Sequence, residues 1–204
     1  DVGVYDRCQL ELNFLSHWAF DSLSRGEVVA PLTRTLAHFR DRGEDQKDLV
    51  NNLLKAAFFR GLGEEDAREA EKLCYFPHRT FQEYFSGRYL GGQLCQESPQ
   101  QRQLCIRAEN IEPEAYVHRH RFERDFEMLA WFTAGHIANH DKHYQLNNFF
   151  NLLTQPPQDL AIVTQSQLVM RCWDETWNAK TGSMVTRVLS NTLITSLQEL
   201  VLQG

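Results

Sequence analysis

Histidines and cysteines are the residues of this chain whose spacing could do chemistry, and the sequence has eight and five of them. His78 closes the apolar run Leu73–Phe76 after Pro77 and stands directly before Arg79-Thr80-Phe81-Gln82-Glu83. Thr80 and Glu83 have the T-x-x-E spacing of a capping box, so a helix is expected to open on Thr80. A histidine at such a strand-to-helix turn can donate a ring N–H to a phosphate oxygen, where the helix N-terminus also favours negative charge. The same residue could instead serve only as a cap. His136, His140 and His143, with Asp141, raise a metal question because i, i+4 histidines share a helix face. A zinc site needs further convergent ligands, and Ile137-Ala138-Asn139 supplies no H-E-x-x-H glutamate, so a solvated helix end is expected and no bound metal. His118-Arg119-His120-Arg121 reads as a solvated basic face.

Cys8, Cys74, Cys95, Cys105 and Cys172 form no C-x-x-C pair, which suits free thiols in a reducing cytoplasm. Cys172, in an apolar helix, is expected to be a core thiol. The glycines never fall into G-x-x-x-x-G-K-[ST], and there is no G-x-S-x-G elbow. No catalytic constellation emerges, so the chain is not expected to be an enzyme by itself.

Elements to position these residues follow from periodicity. Hydrophobic residues at 42% and charged residues at 24% are ordinary for a folded globular chain. No apolar run approaches 18 residues and no leader is evident, so no membrane span or signal peptide is expected. Helices are expected over Leu10–Leu23, from Pro31 through Leu32, Leu36 and Phe39, and over Gln46–Phe59. Two strands, near Leu62 and near Tyr75, would be joined by the charged loop Glu64–Lys72. Phe81 and Phe85, at i, i+4, would be buried on the next helix. Gly91-Gly92 and the polar stretch to Gln103 read as a connector. Further helices would run from Phe122 to Gly135, through Leu146–Leu153, over Leu160–Trp177 with Trp173 in its core, and over Val185–Leu202. The expected fold class is mainly α, a winged-helix domain with a small β-ribbon (1–77) followed by a helical, repeat-like domain of stacked antiparallel pairs (78–204).

The winged-helix reading raises DNA binding. Its third helix offers Lys47, Lys55 and Arg60 against Asp48, with Glu44 and Asp45 just before, and the chain's net charge is −6. Backbone binding needs concentrated cations, so nucleic acid is not an expected partner.

The stretch Tyr75-Phe76-Pro77-His78-Arg79-Thr80-Phe81-Gln82-Glu83-Tyr84-Phe85 closely resembles the end of the winged helix in NACHT-type signalling NTPases, the NOD-like receptors and their bacterial relatives. There a strand ending in Phe-x-His runs into a helix with the same F-Q-E pattern. Phe126–Gly135 and Leu168–Glu175 resemble two helices of the helical domain that follows. The resemblance covers most of residues 8–178 and departs at Pro77, where the family has a small apolar residue. It implies that His78 touches the phosphate of a nucleotide bound in the parent protein. It further implies ADP or ATP with Mg as the parent's cofactor, none being expected in this chain itself. The expected partners are its own NTPase domain, downstream repeats and other proteins on oligomerisation. On this reading the chain is a fragment that holds the closed, nucleotide-bound state and mediates autoinhibition. The alternative is a stand-alone α-helical adaptor or bacterial effector module that binds a protein partner, with a DNA-binding winged-helix protein ranked below it.

Overall fold

A computed structural model of the chain describes residues 8–39, 46–55, 59–62, 73–98, 102–106, 109–140, 143–157 and 163–177. The charged loop 64–72, Asp141 and the expected helix over 185–202 lie outside the described residues. The protein is mainly helical with small antiparallel sheets. No helix among the described residues is long and apolar enough to cross a membrane. The chain separates into two compact units, Asp1–Tyr89 and Leu90–Gly204.

The first unit begins with α1 (Gln9–Ser24), which buries Phe14, Leu15, Trp18 and Ala19. Gly26 ends it at φ 71°, a left-handed conformation that glycine adopts without a Cβ penalty. Its N–H reaches Leu23 O at 2.9 Å and the Glu27 N–H reaches Ser22 O at 2.9 Å, the paired bonds of a Schellman motif. The chain next forms β1 (Val29–Pro31), so Pro31 lies in a strand and not in a first helical turn. β1 is an edge strand, where a missing N–H is tolerated.

Helices α2 (Thr33–Phe39) and α3 (Gln46–Lys55) follow, then β2 (Arg60–Leu62) and β3 (Leu73–Tyr75). The sheet has the order β1-β3-β2, all antiparallel, with Ala30 and Gly61 both opposite Cys74. Ala30 and Cys74 are buried, whereas Val29, Leu62 and Leu73 of the flanking rows are 38–46% exposed. One core unites Phe14, Trp18, Leu36, Leu53, Phe76 and Phe85 with their neighbours. Trp18 meets Phe59 edge-on at 5.1 Å and Phe76 at 5.4 Å, and Phe76 stacks on Phe85.

The division into units falls within α4 (Arg79–Leu94), beyond the expected domain boundary after residue 77. Its first half joins the first core through Phe85. Phe81 does not: it is 42% exposed, because the buried stripe runs through Gln82, Phe85, Ser86 and Leu90 instead. The helix also passes through Gly91-Gly92, where the sequence suggested a connector. A Cβ on Gly91 would lie 2.9 Å from His136 Cδ2 and 3.3 Å from Thr133 O, so the glycine permits close helix approach. Gly91→Ala is expected to lower stability by about 1–3 kcal/mol through overpacking, to be checked by thermal denaturation.

The second unit continues with a hairpin of β4 (Leu104–Ile106) and β5 (Glu109–Ile111), then α5 (Pro113–His120), α6 (Phe126–Asn139), α7 (His143–Thr154) and α8 (Val163–Trp177). Pro113 occupies the first turn of α5, where its missing N–H costs nothing. Phe122 lies in the turn between α5 and α6, 38% exposed, so the helix starts at Phe126. The core comes from Leu129, Ala134 and Ile137 of α6, Phe149, Phe150 and Leu153 of α7, and Leu168, Val169 and Cys172 of α8. Trp173 is only partly buried, because the inward stripe of α8 runs through Gln165, Val169, Cys172 and Thr176.

Candidate functional site

β3 ends at Tyr75, Phe76 is anchored in the first core, and the chain then bends through exposed Pro77 and His78 into α4. The anchor and the helix start fix the backbone of His78 between them. His78 precedes the first helical residue, Arg79, and so sits in the N-cap position. Its ring takes that role: the Thr80 N–H donates to His78 Nδ1 at 3.2 Å. The Phe81 N–H reaches His78 O at 3.1 Å.

The capping box expected between Thr80 and Glu83 is thereby replaced. Arg79 Nε engages Glu83 Oε1 at 3.0 Å, with the Glu83 side chain mostly buried. An accepting Nδ1 carries no proton, so the proton of the neutral ring resides on Nε2. The first turn of α4 contains no acidic residue. An exposed ring donor at the positive end of a 16-residue helix is a chemically apt contact for an anionic oxygen.

His78→Ala is expected to cost about 1 kcal/mol by loss of the cap, while His78→Asn, an effective N-cap, should restore most of it. Chemical denaturation of the three proteins checks this. Equal stability of wild type and His78→Ala would contradict the cap.

The other sequence candidates resolve differently. His136 is half-buried and His140 exposed, with rings 4.5 Å apart and nearly perpendicular. Asp141 and the side chain of His143 lie outside the described residues, among which no three His, Cys, Asp or Glu side chains converge as for a metal. His118 and His120 are engaged rather than simply solvated. His118 Nε2 is 3.1 Å from Pro156 O, and His120 Nδ1 is 2.8 Å from Glu123 Oε2. Tyr116 stacks obliquely on His120 at 4.3 Å, and burial, then the charge of Glu123, push its phenol pKa up. Cys172 is fully buried, which likewise raises its thiol pKa and leaves it a core side chain.

Arg121, in the same basic run, is the residue that sequence reasoning most misjudged. It is 2% exposed and directs its guanidinium to the C-terminal end of α7. Nη1 donates to Leu152 O at 3.2 Å, and Nη2 donates to Gln155 O and Pro157 O, both at 2.7 Å. Burial lowers its pKa, and the negative end of the helix supplies the compensating field. The Phe122 ring lies 4.7 Å from its central carbon. Nothing in the spacing H-R-H-R distinguishes this buried arginine from its exposed neighbour Arg119.

No protein-family model matches the chain, and no curated protein matches it.

Proposed function

We propose that this chain is the regulatory segment of a NACHT-like signal-transduction NTPase, in which a winged helix holds the nucleotide-bound closed state. The order α1-β1-α2-α3-β2-β3, with the β1-β3-β2 antiparallel sheet, supports a winged helix in the first unit. The observation that carries the nucleotide reading is the ring of His78. Its Nδ1 is committed to the Thr80 N–H, which leaves Nε2–H as an exposed donor at the head of α4. Such a donor suits a terminal phosphate oxygen of ADP. A contact made in the ADP state and lost in the ATP state would bias two conformations by about 1–3 kcal/mol, enough to act as a switch. The helical second unit is then the autoinhibitory and protein-contacting body. The parent's cofactor would be ADP or ATP with Mg, and this segment itself would carry out no catalysis.

The reading frame upstream of Asp1 tests the proposal. A G-x-x-x-x-G-K-[ST] loop on a strand-to-helix turn is the expected finding. A frame that encodes no P-loop would overturn it. The outer sheet face, with Val29, Leu62 and Leu73 exposed, favours a protein-binding adaptor as the second reading.

A further inference from the structure

A cleft of about 170 Å³ in the second unit is lined in part by a row of side-chain amides. Gln145, Asn148 and Asn151 follow one another at three-residue spacing along α7, so they are neighbours on one helix face. Gln155, just past the helix, extends the row. None of these amide groups takes a hydrogen bond from another described residue. The lining also includes Arg102 and Glu114, paired at 3.1 Å, so it has no net charge. Arg102 is held in place by a second bond, from Nε to Gln96 O at 2.7 Å. Leu94 and Leu152 supply the apolar part of the lining.

We propose that this cleft binds an uncharged, extended polypeptide segment through its backbone. A carboxamide offers one acceptor and two donors, which matches the C=O and N–H of a peptide unit. The cancelled Arg102–Glu114 charges favour a neutral ligand over an acidic or basic one. The volume falls below the roughly 300–1,000 Å³ that engulfs a drug-sized molecule, so the occupant lies across the cleft and inserts only part of itself. The row is linear: the ten residues from Gln145 to Thr154, the end of α7, correspond to about 15 Å of helix. An extended strand covers that length with four or five residues at about 3.3 Å each. A compact ligand would call for a converging ring of donors instead. The leucines then receive one small apolar side chain of the segment. This site is independent of His78 and of the nucleotide reading.

The test is to pan a phage-displayed library of random dodecapeptides on the full chain and to measure the affinity of enriched peptides by calorimetry. Enriched peptides should be poor in charge, and Asn148→Leu/Asn151→Leu should weaken them about tenfold or more through loss of paired amide contacts. Asn151→Asp, at an exposed position that tolerates a charge, is the second variant and should weaken the same peptides while leaving the melting temperature unchanged. Failure to enrich any peptide that distinguishes the wild type from these variants would overturn the proposal. So would glycan-array binding that the same substitutions abolish, since that would assign the amide row to a sugar.

Discussion

Trp18→Ala is expected to remove about 3–5 kcal/mol from the stability of the first unit. Its indole is 1% exposed and stands where α1, the sheet and the strand-to-helix turn meet. It touches Phe59 and Phe76, and its Nε1–H donates to Pro31 O at 3.3 Å, holding β1 to α1. Truncation would open a cavity that these rings, fixed by their own backbone, cannot fill. Because Phe76 leads directly into His78, the same change should loosen the candidate site. Trp18→Phe keeps the aromatic volume in part and loses the indole N–H, so a smaller loss is expected. Urea denaturation followed by circular dichroism measures both, and a loss below about 1 kcal/mol for the alanine variant would contradict the packing described.

Arg121→Ala is expected to cost the second unit about 3 kcal/mol, since a charged donor serving three carbonyls is removed from a buried position. Water entering the vacated space would satisfy part of the deficit, which keeps the figure below the sum of three separate bonds. Arg121→Lys retains the charge but not the fork, and a single ammonium cannot span Leu152, Gln155 and Pro157 in the same way. It should recover less than half of the loss. Full recovery with lysine, measured by thermal denaturation, would show that charge at the end of α7 matters and geometry does not.

Except for the eight-residue α5, the helices were legible because their apolar stripes repeat, as in α1 through Phe14, Leu15 and Trp18 or α7 through Leu146, Phe149, Phe150 and Leu153. The strands β1, β4 and β5 were not. Each has three residues, too short for an alternating pattern, and β1 exists because it pairs with β3 far along the chain. Gly91-Gly92 misled for a related reason. Glycine weakens a helix locally, but here the missing Cβ is what lets α4 approach His136. Residue type and position singled out His78, yet its partner was hidden. Thr80 and Glu83 have the right spacing for a capping box, and only the folded geometry shows the ring taking the Thr80 N–H while Arg79 takes Glu83. Arg121 was illegible altogether, since its ligands are backbone carbonyls that no side-chain pattern announces.

The cap suggests how to separate the two roles of His78. His78→Asp should preserve the N-cap and place a negative charge where a phosphate would come. The most direct measurement is calorimetric titration of ADP into the full-length parent protein, as wild type, His78→Asn and His78→Asp. Tight ADP binding is expected for the wild type, at least tenfold weaker binding for His78→Asn, and weaker still for His78→Asp, with all three equally folded. ADP bound equally well by all three would contradict the phosphate contact and leave His78 as the cap of α4 alone.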